Sequence, residues 1–491
     1  MYELVSPVNR AAVLKYLGLV MIGMGAVLFV PLVVAVLFGS YTVAAAYATI
    51  AVCVIVAGYG MYRMLPDADL EWKDALVIAA LIFPLSSAIS AIPISISTGM
   101  PLLDSLFEAV SGLTTTGLSV APDGGDPVFL FARSWLQWIG GIGIVLIVLS
   151  VVIDPGTSAY RLYSINFAGK KLRPNVIGAA KTLGSIYLGI TLIALFLLIA
   201  AGMPPFDALC HAFASVSTGG FSTKDDSIAG FSGILIPATV LLGCVLGAIN
   251  FGLYPRLIEN PRLLLSSEQV RGFLVVLAAG VLMLAFTMQE CGTFSFVAGA
   301  AAFQALSALT TAGFSTIDVG ALPESAKFVL SALMWIGGSV GSTAGGIKIL
   351  RLILLAKIIH LVFIRFFLPR EALTPFKIEG EVVESGEVST ILTFVLLYIL
   401  VIVVSVLVFT LHGIGTGDAL FEVSSALGTV GLSAGVTSAA MAPLLKVVLI
   451  ADMLLGRMEI IPLCILLFPR TWIRLPPVRE NGGRIAGGSN P

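Results

Sequence analysis

Ser111-Gly-Leu-Thr-Thr-Thr-Gly-Leu-Ser119 is the stretch that organises the chain, because it recurs three more times in altered form. Ala214-Ser-Val-Ser-Thr-Gly-Gly-Phe-Ser222, Ser307-Ala-Leu-Thr-Thr-Ala-Gly-Phe-Ser315 and Ser425-Ala-Leu-Gly-Thr-Val-Gly-Leu-Ser433 are the other copies. Each ends Thr-x-Gly-(Leu/Phe)-Ser, which aligns Thr115, Thr218, Thr311 and Thr429, and two residues later Gly117, Gly220, Gly313 and Gly431. Between them stand Thr116, Gly219, Ala312 and Val430. Glycine lets a backbone take positive φ or approach a neighbour closely. Four of them in equivalent places predict four loops meeting around one axis. A ring of backbone carbonyls can replace the hydration shell of a cation, as in potassium-channel filters. A pore selective for potassium, lined by these twelve residues of one chain, is the expectation.

Composition sets the class. The 491 residues are 58% hydrophobic and 11% charged, with a mean hydropathy of +1.04. Soluble domains carry about a quarter charged residues, so the chain reads as a polytopic membrane protein in contact with lipid. A net charge of −1 gives nucleic acid no reason to bind. Cys53, Cys210, Cys244, Cys291 and Cys464 are scattered, as are three histidines, and neither set has disulfide or metal-ligand spacing. The first apolar run, near Leu17–Phe38, is too long for a signal-peptide core and reads as a membrane helix.

In chain order, two helices near 16–39 and 42–63 form an N-terminal unit over 1–70. Four repeats follow, over 71–155, 175–258, 266–366 and 387–470, and a polar cytoplasmic tail, 471–491, closes the chain. Each repeat reads as a long apolar helix, a half-length helix, the Thr-x-Gly loop and a second long helix. The half-length segments, near 101–114, 205–217, 296–310 and 416–428, are too short to span a bilayer. Asp104, Asp207 and Asp418 stand at their starts, thirteen residues before the shared glycine; the third repeat has Ala300 there and Ser295 as its cap. Such re-entrant helices would aim their partially negative C-terminal ends at a cation. The expected fold is an all-α membrane protein with four pore repeats around a pseudo-fourfold axis.

Basic residues crowd the segments between repeats (Arg161, Lys170, Lys171, Arg173, Lys181, Arg256, Arg262, Arg271, Arg351, Lys357, Arg365, Arg370, Lys377) and the tail. On the loop side stand Arg133, Lys224, Lys327 and Lys446. The positive-inside rule puts the inter-repeat segments and both termini in the cytoplasm.

Beyond the loops, four features carry chemistry. Gly337-Gly-Ser-Val-Gly-Ser-Thr-Ala-Gly-Gly346 interrupts the second helix of repeat three; Gly337, Gly338, Ser339, Gly341, Ser342, Thr343, Gly345 and Gly346 make poor helix. Close helix packing would explain the glycine spacing; a gate lying across the pore is the functional reading. Lys348, at its end, either holds that segment or marks the cytoplasmic half of the helix. Arg457 is a charge inside the last helix, either a barrier in the pore or half of an internal pair with Asp452 or Glu459. Glu108, His211, Gln304 and Glu422, nine residues before each shared glycine, are expected to hydrogen-bond behind the loops, and Asp225, Asp226 and Asp318 to make the outer mouth negative or to be solvated.

With these in place the chain resembles the superfamily of K⁺ transporters that includes bacterial Trk and Ktr subunits and plant HKT proteins. The matching stretches are Val216-Ser-Thr-Gly-Gly-Phe-Ser-Thr223, Trp335-Ile-Gly-Gly-Ser-Val-Gly-Ser-Thr-Ala-Gly-Gly-Ile-Lys348 and Gly456-Arg-Met-Glu459. The two extra N-terminal helices are similar to the TrkH/TrkG branch. The resemblance implies filter glycines at Gly117, Gly220, Gly313 and Gly431, a gating loop over 337–348 and a pore arginine at Arg457. It implies K⁺ and Rb⁺ as permeant ions, since Gly117 stands where a serine accompanies sodium preference. It further implies a homodimer in the bacterial inner membrane, served by a separate, TrkA-like nucleotide-binding regulatory subunit. The chain itself has no Gly-x-Gly-x-x-Gly turn in a soluble βαβ setting, so no nucleotide site of its own is expected. Gly428 and Ala300 depart from the repeat pattern. A symporter coupled to H⁺ or Na⁺ is the alternative, with Asp452, Glu459 and Glu422 as candidate coupling groups. An enzyme is not expected, because no Ser–His pairing recurs; a passive scaffold would not need four such loops.

Overall fold

The computed structural model describes residues 7–66, 71–122, 124–152, 176–367, 369, 377–378, 381–382 and 385–473. Arg161, Lys170, Lys171, Arg173, Arg370 and nearly all of the tail lie outside them. Two antiparallel helices, α1 (Arg10–Leu37) and α2 (Tyr41–Met64), come first and pack against the first repeat. Repeat one is α3 (Trp72–Thr98), α4 (Leu102–Leu113) and α5 (Pro127–Val152); repeat two is α6 (Val176–Ala200), α7 (Pro205–Val216) and α8 (Leu235–Ala248). Repeat three is α9 (Glu268–Thr287), α10 (Phe294–Leu309), α11 (Glu324–Met334) and α12 (Ile349–Arg365); repeat four is α13 (Ser385–Leu411), α14 (Thr416–Leu427) and α15 (Pro443–Arg457).

Among the described residues, seven helices are long and apolar enough to cross a membrane, or eight with one bent pair counted. The fold is therefore an all-α membrane protein of four tandem repeats preceded by two extra helices. Their lipid-ward faces carry large apolar side chains such as Phe196, Phe286, Leu396 and Leu411. The half-length helices α4, α7, α10 and α14 are enclosed instead, with Phe107, Glu108, His211, Gln304, Phe421 and Glu422 all fully buried. Prolines start three of the short elements at their caps or first turns: Pro101, Pro204 with Pro205, and Pro323. Pro fits there because the first helical N–H groups have no intrahelical acceptor. Helix α10 starts after Thr293, not at a Ser295 cap; Ser295 sits in its first turn.

Three of the four second helices are broken. The break expected in repeat three is present: α11 ends at Met334, and the chain returns to helix only at Ile349. Its two edges are tied by a two-residue parallel bridge, β1 (Ile336–Gly337) with β2 (Ile347–Lys348). The continuous helices expected over 230–256 and 440–469 are corrected. After α8 the chain bends by 84°, and the Asn250 side chain accepts from Gly252 N–H (2.8 Å) to cap the new direction. After α15, Glu459 (φ 59°) and Ile460 (φ 57°) are both left-handed, and a short helix restarts at Ile461–Leu467 with Pro462 in its first turn.

Candidate functional site: four loops and the segment beneath them

The loops begin where the half-length helices end. Thr115, Thr218, Thr311 and Thr429 all have positive φ, between 51° and 56°. That region is costly for a β-branched residue, by roughly 1–2 kcal/mol. In each copy the threonine N–H donates three residues back, to Gly112, Ser215, Ala308 or Ala426, and the next N–H donates five residues back, to Ser111, Ala214, Ser307 or Ser425. This is the Schellman pattern that ends helices, with threonine in the place usually given to glycine. One residue separates each threonine from a glycine that is again left-handed: Gly117 (93°), Gly220 (84°), Gly313 (68°) and Gly431 (98°).

Those four glycines close a ring. A Cβ on Gly117 would overlap the carbonyl oxygen of Gly219; on Gly220, that of Ala312; on Gly313, that of Val430; and on Gly431, that of Thr116. Each loop thus rests its glycine on the carbonyl that precedes the next loop's glycine, and the fourth returns to the first. The Thr116, Ala312 and Val430 carbonyls receive no protein donor among the described residues. On one side of the ring opens a vestibule of about 800 Å³, lined in part by Asp225, Asp226 and Asp318.

A bracket of side chains backs the loops. Glu108 Oε1 accepts from the Ser119 hydroxyl (2.8 Å) and from the N–H groups of Val120 (2.7 Å) and Ala121 (3.1 Å). Glu422 does the same for Ser433 (2.6 Å), Ala434 (2.9 Å) and Thr437 (2.6 Å). His211 Nδ1–H donates to the Asp207 carbonyl (2.7 Å), leaving Nε2 to accept from Ser222 (3.0 Å); Gln304 donates to Ser315 (2.9 Å). All four meet the serine eleven residues ahead, the last residue of each repeated stretch. Of the three lysines on the loop side, Lys224 is exposed and two are inside the protein: Lys446 pairs with Asp104 (2.6 Å), and Lys327 with Asp418 (2.8 Å) and Glu324 (3.4 Å). Sequence reading placed them as loop-side charges, and only the fold brings each to the aspartate of the following repeat. Arg133, the fourth of the loop-side charges, donates to the Ser222 carbonyl (2.5 Å) and lies over the Phe221 ring.

Gly338–Gly346 runs beneath the ring and is tied to repeats two, three and four, and through Arg457 to repeat one. Ser339 and Thr343 N–H donate to the Ala248 (2.9 Å) and Gly247 (3.1 Å) carbonyls, freed by the break after α8, and Phe251 N–H donates to Gly341 O (3.1 Å). The Thr343 hydroxyl lies 3.3 Å from that of Thr218 in the second loop. Gly345 N–H donates to the Thr311 hydroxyl (2.8 Å) in the third, and a Cβ on Gly345 would overlap the Thr429 hydroxyl in the fourth. Arg457, fully enclosed, donates to the Thr343 carbonyl (2.6 Å) and to the Gly140 carbonyl (3.0 Å) of repeat one. Neither Asp452 nor Glu459 pairs with it: Asp452 accepts from Ser405 (2.9 Å) and Glu459 pairs with Arg351 (2.5 Å). Lys348 holds the segment, donating to the Ala344 carbonyl.

The family model for TrkH, described as a cation transport protein, matches residues 43–471. The chain belongs to the TrkH family. It is 31% identical over 420 residues to the Trk system potassium uptake protein TrkH of Salmonella typhimurium, covering 82% of this chain and 87% of that one. It is 31% identical over 462 residues to the Trk system potassium uptake protein TrkG of Escherichia coli, covering 90% and 94%. The crystal structure of the potassium transporter TrkH from Vibrio parahaemolyticus superposes with a TM-score of 0.85 at 27% identity, covering 95% of this chain and all of that one. Within this TrkH-family chain the Gly428 departure has a local cause. A side chain there would overlap the Met334 carbonyl, where α11 stops beside α14.

Proposed function

We propose that the chain is a potassium-uptake subunit of the inner membrane whose ions pass through the ring of four loops. The closed glycine-on-carbonyl ring carries this reading. Its oxygens are held at fixed spacing by neighbouring backbone, so a cation can exchange its hydration shell for them without rearrangement. The hydroxyls of Thr115, Thr218, Thr311 and Thr429 form a second tier of oxygens on the inner side; those of Thr115 and Thr429 are buried with no protein partner. Relatives named as potassium uptake proteins support K⁺, with Rb⁺ as its tracer.

Gly338–Gly346 then acts as the gate. It blocks the ring from below, and Arg457 adds a positive charge at the same level. Opening requires its bonds to Gly247, Ala248, Thr311 and Arg457 to break. The supply of that free energy falls to a separate cytoplasmic, nucleotide-binding regulatory subunit, with two copies of the chain side by side and both termini cytoplasmic. The uncoupled reading is preferred to symport because two of the candidate coupling groups, Glu422 and Glu459, are committed to Ser433 and Thr437 and to Arg351; Asp452 gives Oδ1 to Ser405 and has Oδ2 unpartnered among the described residues.

Rubidium uptake into liposomes holding the chain, with and without the regulatory subunit, tests this. Uptake blocked by excess K⁺ and hardly by Na⁺ is expected. Equal block by both ions would overturn the selectivity, and no uptake in either preparation would overturn the pathway.

A further inference from the structure

We propose that Gln137 is a specificity-determining positioning residue, the strut that sets the second loop's ring carbonyl, Gly219 O. This rests on the reading of the four loops as the ion filter.

In the other three loops the first residue of the repeated stretch is a serine, and its hydroxyl braces the shared glycine from within. Ser111 accepts from Gly117 N–H (3.0 Å) and donates to the Leu118 carbonyl (2.6 Å). Ser307 donates to the Phe314 carbonyl (2.7 Å), and Ser425 accepts from Gly431 N–H (3.0 Å). The second loop has Ala214 there, which has no hydroxyl to offer. Its brace comes from outside the repeat. Gln137, on α5 and fully buried, donates through Nε2 to the Gly219 carbonyl and accepts at Oε1 from Phe221 N–H (3.2 Å). The two bonds straddle Gly220. The amide has one orientation that satisfies both, since a carbonyl can only accept and an N–H can only donate.

The same strut explains the residue at 219. The equivalent positions carry side chains, in Thr116, Ala312 and Val430, but a Cβ on Gly219 would overlap the Gln137 amide carbon. Ala214, Gly219 and Gln137 are therefore one substitution spread over three places. Functionally, the Gly219 carbonyl differs from the Thr116, Ala312 and Val430 carbonyls in holding a protein donor. One of its lone pairs is committed and its direction is fixed by a residue of repeat one, so its second lone pair faces an ion with less freedom than the other three.

The test uses purified full-length protein and equilibrium binding of radioactive rubidium, displaced by K⁺ or Na⁺, which needs no open gate. Gln137→Met, matched in length and without polar atoms, should reduce K⁺-over-Na⁺ preference about tenfold, the change equivalent to one net hydrogen bond. Gln137→Leu likewise offers neither the donor for Gly219 nor the acceptor for Phe221, and should show the same loss. Adding Ala214→Ser to Gln137→Met returns the internal brace and should recover part of the preference. Folded Gln137 variants with the parent's preference, alongside a Gly117→Ser control that loses it, would overturn the proposal. So would loss that Ala214→Ser does not recover, which would make Gln137 a packing residue. If Gly117→Ser is itself inert, the filter reading fails instead.

Discussion

At the scale of the residue, the ring glycines are constrained in two ways that act together. Gly117 needs φ near 93°, and the place of its side chain is taken by a neighbouring carbonyl. Gly117→Ser must rotate or displace the Gly219 oxygen. We expect rubidium uptake in that variant to become sensitive to Na⁺, with discrimination falling at least about tenfold, a cost of about 1.4 kcal/mol. Thr311 works on the other side of the ring, where its hydroxyl receives Gly345 N–H. Thr311→Val strands that buried donor, a penalty of about 1–3 kcal/mol. It should raise basal uptake by weakening the blocked position, and a reduced uptake would show that the bond is not part of the block. Arg457→Ala removes both carbonyl ties and the positive charge, and a rise in basal rubidium flux is again expected. The shared threonines and glycines were legible as a recurring string. Their left-handed backbone was not, because threonine seldom takes that conformation and nothing local in the sequence announces it.

At the scale of the element, the half-length helices were readable from their length and, in three of them, from their proline or aspartate starts. The break in repeat three was readable from its glycines. The breaks at Asn250 and at Glu459–Ile460 were hidden although each carries a polar residue, because part of what holds them is distant in sequence: Phe251 N–H on the Gly341 carbonyl beside the local Asn250 cap, and Arg351 on Glu459. The Lys446–Asp104 pair was hidden for a related reason, since its members are 342 residues apart. Both side chains are nearly enclosed, so removing one leaves the other charged and buried. Lys446→Ala should lower the thermal unfolding midpoint, at a cost of about 3–5 kcal/mol. Pairing it with Asp104→Leu should recover most of the loss. Shortening Gly338–Gly346 by two residues should raise uptake without the regulatory subunit while leaving the preference for K⁺ intact, because the ring above is untouched.

At the scale of the whole molecule, fourfold order was visible because one string recurred, whereas the way the repeats lock together was not. Between repeats three and four, and between four and one, a lysine of the second helix reaches the aspartate at the start of the next half-length helix. Between one and two, Arg133 and Gln137 reach into the second loop. Between two and three neither partner of the lysine–aspartate pair exists: Leu235–Ala248 contains no charged residue, and Ala300 stands where the aspartate would be. That junction is joined at the vestibule by Ile228 N–H on the Ser315 carbonyl (3.0 Å) and Ser315 N–H on the Ser227 hydroxyl (3.1 Å). The assembly therefore resembles a split washer, clamped by charged side chains around most of its rim and joined by uncharged hydrogen bonds at one slit. Gly338–Gly346 belongs to repeat three and hangs from the carbonyls at the end of α8 in repeat two, so it spans that slit. A small parting there would strain Gly338–Gly346 directly while the clamped part of the rim kept its shape.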